Sequence, residues 1–244
     1  MSSTRRYLKN INESELDRPV YRFISFESLM ELFLFNKLTL PRISSWDDPY
    51  ENWFFKTKVY LNDRDFSESL KEVATRIYGQ CWSLQPESDA MWRIYSSDSK
   101  GVRIATTLRK LYSLINCSES TKDSACLGLV KYVSTQEISK ILDQFNGLHT
   151  LTPDYMLDSI ITKRTEFIHE DEVRVVYVAG AGYTNEFKYY PINPNEFLDS
   201  ITFDPRIKVR QEILYNRFLE SVGFSKLIQE SNLYKFTPSE IKIP

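Results

Sequence analysis

Apolar side chains recur along this sequence with two different periods, and the switching between them predicts an interleaved set of strands and helices. Residues 19–24 are β-rich and open the fold as a strand. Ser25 then caps a helix whose inward face is Phe26, Leu29, Met30 and Phe33. Asn36 and Lys37 turn the chain into a strand over 38–40, stopped by Pro41. Residues 44–51 read as a loop, because an Asp-Pro step disfavours helix and Asp side chains favour turns. Residues 53–60 look extended, and Phe66, Leu70, Val73 and Ile77 share one helical face. A buried strand is expected at 79–83, then a helix capped by Ser88 or Asp89 that carries Met91, Trp92 and Tyr95. A strand at 102–106 leads into a helix with Leu108, Leu111 and Ile115.

After a polar loop at 117–126, a strand is expected over 127–133. Ile138, Ile141, Leu142 and Phe145 mark one helix, and Met156, Leu157, Ile160 and Ile161 another. Residues 172–178 carry the strongest strand signal in the chain. Strands at 187–192 and 198–203 follow. A final helix over 206–222 turns Val209, Ile213, Leu214, Phe218 and Val222 inward and ends at Gly223. The tail at 233–236 adds an edge strand. Strands and helices mix without strict βαβ alternation, which predicts an α+β fold: a mixed, split β-sheet core with flanking helices. Residues 1–18 read as a polar arm and 19–244 as a single domain.

Composition narrows the chemistry. Seven glycines in 244 residues are about 3%, against roughly 7% in ordinary proteins. No glycine-rich phosphate loop or dinucleotide fingerprint exists, so any phosphate must be held by side chains or helix ends. Aromatic residues reach 14%, enough for a dense core and a ring-binding cleft. Thirty-one basic against thirty-three acidic residues give a net charge of −2, without the basic footprint of a tight duplex binder. Cys81, Cys117 and Cys126 form no Cys-x-x-Cys, and only His149 and His169 are present, so a zinc site is not expected. The first residues hold no apolar leader, and the longest apolar stretch, 29–35, is interrupted by Glu31. A cytoplasmic protein with no membrane partner is expected.

Three segments carry candidate chemistry. Asp47, Asp48 and Glu51 put three carboxylates on one loop, either to bind a cation or orient a ligand, or simply to cap a turn docked by Trp46 and Tyr50. Met91, Trp92 and Tyr95 share a helix, which means core packing or a stacking surface for a ring. Glu170, Glu172 and Arg174 alternate at the start of a strand and would project to one face. That is either a solvated edge or a carboxylate pair for stabilising a developing cation. No nucleophile elbow is present.

Taken in order, Tyr21-Arg22, the 47–51 loop, Cys81-Trp82-Ser83, Met91-Trp92 with Tyr95 and Gly101, and Lys163, Phe167, Glu170, Glu172 and Arg174 resemble a known series. It is similar to the bacterial and phage family catalogued as domain of unknown function 2971, over about residues 20–206. Asp47 stands where that family usually has Asn, and Phe167 where it has Trp. A more remote resemblance links the cationic strand residue, the middle-strand Ser and the late Glu-x-Glu to the Arg–Ser–Glu class of ADP-ribosyltransferases, including toxins that act on nucleic acids.

That second resemblance implies an ADP-ribosyltransferase-like fold with NAD as substrate. Arg22, beside Tyr21, would bind the diphosphate, Ser83 would support the strand or the nicotinamide ribose, and Trp92 or Tyr95 would stack on nicotinamide. Glu172 would stabilise the oxocarbenium-like transition state and Glu170 would orient the acceptor. Asp48, Glu51, Lys163 and Arg174 complete the candidate set on the substrate and loop side, with no resident metal. The acceptor would be a macromolecule, RNA or DNA among the candidates, and the protein a toxin or phage-defence effector with an antitoxin or chaperone partner. Two other readings stand beside it: a non-catalytic module binding a nucleotide or partner, and a nuclease holding Mg²⁺ on Asp48, Glu51, Glu170 and Glu172.

Overall fold

The computed structural model describes residues 5–46, 48, 50–61, 64–65, 67–115, 123–145, 153–180 and 182–238. Asp47, Phe66, Cys117 and His149 lie outside the described residues. The Phe145 side chain likewise lies outside what the structure describes. The fold is α+β, and the chain forms two compact units, each assembled from three segments. No helix among the described residues is long and apolar enough to cross a membrane.

The first unit comprises 1–20, 37–85 and 107–191. Its sheet has the order Arg5–Lys9, Ser124–Leu129, Glu172–Val178, Ile77–Ser83. The strand Glu172–Val178 runs antiparallel to both neighbours, with Glu172 opposite Ser83 and Arg174 opposite Cys81 and Gly128. It is buried on both faces, as its near-continuous Val-rich run requires. Ile43, Phe54, Leu70, Ile77, Ile160 and Val176 belong to the apolar cluster of this unit. Lys37–Pro41 pairs with Phe187–Pro191, and Lys131–Val133 pairs in parallel with Thr162–Arg164.

Several expected elements of this unit form differently. Arg5–Lys9, within the expected polar arm, is a strand parallel to Ser124–Leu129. Residues 53–60 are not extended. Trp53–Lys56 is a helical turn, opened by left-handed Asn52 and closed by the Thr57 hydroxyl donating to the Trp53 carbonyl at 2.8 Å. Trp53, Phe54 and Phe55 are all buried, which the alternating faces of a half-buried strand do not allow. The helix Ser67–Ala74 stops short of Ile77, which starts the next strand. The strand expected over 127–133 begins earlier and divides into Ser124–Leu129 and Lys131–Val133. The division falls where the Val130 N–H donates to the Glu172 carbonyl at 2.9 Å.

The second unit comprises 21–36, 86–106 and 192–244. Here Val102–Thr107 runs antiparallel to Ser200–Phe203, which pairs in parallel with Leu227–Gln229. Ser25 caps the helix Phe26–Phe35 by accepting from the Ser28 N–H at 3.1 Å, and left-handed Asn36 ends it. Leu32 is buried on this helix where Met30 was expected. The last helix is Val209–Ser221, ended by Gly223 at φ +69°. Its buried residues are Tyr215 and Leu219, and Phe218 packs inward as expected, whereas Val209, Ile213 and Leu214 are exposed instead of facing inward. Aromatic packing decides this. Tyr215 stacks on Phe26 with centroids 3.4 Å apart, and Phe218 sits edge-on to Phe33. The final strand is Leu227–Gln229 rather than 233–236.

Gly79 ties the first sheet to the loop ahead of it. A Cβ there would lie 2.6 Å from a ring carbon of Trp46 and 3.1 Å from Ile43. Gly79→Ala is expected to displace Trp46 and lower stability by about 1–3 kcal/mol, read from the urea midpoint at unchanged m.

Candidate carboxylate site

The candidate site lies in the first unit, where Glu172 begins its strand. The segment ahead, Thr165–Glu170, is a 3-10 helix, so Glu170 is not on the strand with Glu172 and Arg174. Asp171 makes the corner in the left-handed region at φ +42° and turns the Glu170 carboxylate back beside Glu172. The pairing expected from an extended Glu-x-Glu therefore arises by a different backbone route.

Two cations hold the carboxylates. Lys163 Nζ donates to Glu170 Oε2 at 2.5 Å and Glu172 Oε1 at 2.6 Å, and lies 3.3 Å from Glu51 Oε1. Arg174 Nε donates to Glu172 Oε2 and Nη2 to Glu51 Oε1, each at 2.6 Å. Its third bond goes from Nη1 to the Ile160 carbonyl, and its guanidinium stacks 4.6 Å over Trp46. All five charged side chains are more than nine-tenths buried, and that of Arg174 entirely. Buried charges survive only when paired and hydrogen-bonded, and these are.

The two glutamates are driven to opposite protonation states. Burial first, then the bond and repulsion from Glu172, pushes Glu170 up to about 7 despite the bond from Lys163. Burial would also raise Glu172, but Arg174, the bond from Glu170 and Lys163 outweigh it and hold Glu172 well below the usual carboxylate range. Burial works against the charge on Lys163, yet Glu172, Glu170 and Glu51 keep it firmly protonated. With a proton on Glu170 the five groups are neutral. Without it they carry one net negative charge.

Backbone bonds fix the corner. The Ser83 hydroxyl donates to the Glu170 carbonyl at 2.5 Å and accepts from the Gln85 N–H. The Leu84 N–H donates to the Asp171 carbonyl, and the Glu172 N–H donates to the Tyr132 hydroxyl oxygen at 2.9 Å. Glu51 is presented by the expected loop. Asp48 Oδ1 accepts from the Tyr50 N–H and from Arg164 Nη2, both at 3.0 Å. The Arg164 guanidinium also lies 4.4 Å from the Tyr50 ring and 5.3 Å from the Phe167 ring.

Lys163, Glu170, Glu172, Arg174 and Glu51 thus meet in one cluster, with Ser83 bonded to its backbone and Asp48 on the adjoining loop. Tyr132, Trp46 and Arg164 complete it. Tyr132 left no trace in the sequence beyond being a tyrosine in a strand, while Arg164 is the neighbour of a motif lysine. Tyr21, Arg22, Trp92 and Tyr95 belong to the second unit. Arg103 lies 5.0 Å from the Tyr21 ring, and Arg22 is half-buried. Trp92 is fully enclosed, edge-on to Phe23 at 4.8 Å, with its indole N–H on Glu87. The stacking role expected of Trp92 is corrected on that ground, because its faces are used in packing. Tyr95 is 44% exposed and stacks on Phe23 with centroids 6.4 Å apart.

The four carboxylates of the Mg²⁺ reading are each ion-paired within the protein. Asp48, Glu51, Glu170 and Glu172 already face Arg164, Arg174 and Lys163. Among the described residues no group of three His, Cys, Asp or Glu side chains is arranged to hold a metal ion.

The family model for a protein of unknown function (DUF2971) matches residues 91–175, which include Met91, Trp92, Tyr95 and the run from Lys163 to Arg174. No curated protein matches the chain. Among solved structures, it is similar to Thermus sp. 2.9 DarT in complex with ADP-ribosylated ssDNA, at 11% identity and a TM-score of 0.39, covering 94% of this chain and 96% of that one. The same DarT in complex with NAD+ aligns at 10% identity and a TM-score of 0.38, covering 88% and 94%. At such TM-scores the likeness carries no weight for the chemistry of this chain.

Two outcomes are expected of the cluster. Arg174→Met leaves Glu51 and Glu172 without their main partner and should lower stability by about 3–5 kcal/mol in chemical denaturation. Between the ordinary glutamate value and about 7, the folded state keeps a proton on Glu170 that the unfolded state has lost. Stability contributed by that proton is present at the acid end and lost as pH rises towards neutrality. A melting series from pH 5 to about 8 should therefore fall more steeply for the native protein than for Glu170→Gln.

Proposed function

We propose that the chain is an NAD-consuming, ADP-ribosyltransferase-like enzyme that modifies a macromolecule, with a nucleic acid favoured as acceptor. The observation that supports it is the unequal setting of two adjacent buried carboxylates, Glu172 held by both Lys163 and Arg174 and Glu170 by Lys163 alone, which favours the charge on Glu172 and raises Glu170. Such an imbalance assigns separate charge-stabilising and proton-transfer roles. Glu172 would face the ribose carbon where positive charge develops as the bond to nicotinamide breaks and its electron pair leaves with nicotinamide. The acceptor nucleophile bonds to that carbon, and its proton passes to Glu170. Arg22 would bind the diphosphate and Tyr95 would meet the nicotinamide ring. A toxin or phage-defence effector acting in the cytoplasm, checked by an antitoxin, is the biological role that fits this chemistry.

A specific observation favours a second reading. Both oxygens of Glu172 are already taken, by Lys163 and Arg174. In a module that only binds a nucleotide or partner, the cluster would serve to hold the loop and the strand together. Purified protein incubated with NAD and RNA, DNA or protein acceptors separates the two. The enzyme reading expects nicotinamide release that falls about 10²–10³-fold in Glu172→Gln, while Glu170→Gln loses transfer more than release to water. It is abandoned if native protein releases no nicotinamide with any acceptor and NAD leaves the melting temperature unchanged. In that case, cellular activity surviving Glu172→Gln but lost in Tyr95→Ala identifies the binding module.

A further inference from the structure

In the second unit the strand Leu227–Gln229 pairs in parallel with Ser200–Phe203, and among the described residues nothing pairs along its other side. Apart from that pairing, no backbone N–H or C=O of residues 226–230 is hydrogen-bonded among the described residues. The chain beyond Gln229 is drawn over a face of the sheet rather than along this edge. Arg103, Thr202 and Gln229 form one row across the three strands, and Arg103 Nη2 donates to Thr202 Oγ1 at 2.7 Å and to Gln229 Oε1 at 3.0 Å. On the face these side chains share, Arg103 also lies 3.8 Å from Glu87. The Ser231 hydroxyl donates to Glu87 Oε1 at 2.7 Å, and the Tyr234 hydroxyl donates to Asp89 at the start of the helix Asp89–Tyr95. The edge itself stays open.

Open edges are normally guarded by charge, by proline or by a bulge, because their unpaired backbone groups are a template for another strand. This one carries Leu227 and Ile228, 56% and 37% exposed, between Lys226 and Glu230. Lys226 is exposed and forms no ion pair among the described residues, and Glu230 has only a solvent-exposed pair with Lys235. A lysine alone on an edge repels a second copy of itself. A lysine and a glutamate four positions apart, with an isoleucine midway, complement their own sequence read backwards.

Two copies of one strand paired antiparallel are related by a two-fold axis perpendicular to the sheet. Each side chain then keeps its face, so the pairing can be centred only on a residue and not between two. Centred on Ile228, Lys226 of each copy faces Glu230 of the other, and Ile228 meets its own counterpart. These three positions alternate onto one face, so two ion pairs flank the apolar contact. Centred on Leu227, Lys226 faces Ile228; centred on Gln229, Glu230 faces Ile228. Only the first register keeps charge off the apolar side chain. We propose that the edge at 226–230 pairs with the same edge of a second copy of this chain, centred on Ile228, so that the sheet continues from one molecule into the next. An interface confined to one short strand per copy falls below the roughly 1,200 Å² of stable complexes, so the pair dissociates on dilution.

Sedimentation velocity of the full-length protein, over about 5 to about 500 µM, should show monomer giving way to dimer as concentration rises. Lys226→Glu and Glu230→Lys each put like charges opposite one another at both ends of the pairing, so each variant alone should dimerise about tenfold more weakly. Mixed in equal amounts, the two variants complement each other at both ends and should form a mixed dimer. The double variant, Lys226→Glu with Glu230→Lys, restores the match and should dimerise like native protein. Melting temperatures should not move, because both positions are exposed and the Lys235 pair is a surface one. Native protein that stays monomeric across this range overturns the proposal. So do single variants that dimerise like native protein, a mixture that associates no better than its components, or a double variant that fails to recover.

Discussion

The candidate site depends on two cations placed among three buried carboxylates. Glu51, Glu170 and Glu172 come from a loop, the end of a 3-10 helix and the start of a strand, and repulsion between them would drive these segments apart. Lys163 and Arg174 bind them together, and Trp46 covers the Arg174 guanidinium. Burial strengthens each attraction and also penalises each charge, so the arrangement is stable only when nearly complete. The two glutamates become chemically unequal as a result. Glu172 takes two cationic donors and stays ionised, whereas Glu170 takes one and competes for its proton near neutrality.

The strand Glu172–Val178 was legible because a run of β-branched residues buried on two faces has few alternatives. That Glu170, Glu172 and Arg174 would need partners was legible as well, since charges so close to an apolar run demand them, whereas Lys163 stood out only through the family resemblance. What the spacing could not reveal was the corner. Alternation in an extended chain would place both glutamates on one face, but Asp171 adopts a left-handed conformation and the two arrive together by a turn. Tyr132, forty positions away, reaches the site through sheet pairing, which leaves no local pattern.

The misread elements share one physical origin. Residues 53–56 hold three consecutive large aromatics, and only a helical turn supported by Asn52 and Thr57 buries all three. In the last helix two stripes of similar size compete, and tertiary contacts choose between them: Phe26 and Phe33 take Tyr215 and Phe218. Periodicity finds a helix, but which of two faces turns inward is settled by the partner. The same contest left Val209, Ile213 and Leu214 outside.

Left-handed backbone in this molecule falls largely to residues other than glycine. Among the described residues, Asn10, Asn36, Asn52, Ser99 and Asp171 adopt positive φ, beside Gly182 and Gly223. Each of the non-glycine corners stores on the order of 1 kcal/mol of backbone strain that packing has to contain. Two of them, Asn52 and Asp171, flank the charged cluster directly. Loosening the ion pairs would therefore release tension as well as attraction, and the corners would act as preloaded springs on the loop and the strand. A scarcity of glycine, which first limits how phosphate can be held, here makes the scaffold around the carboxylates stiff.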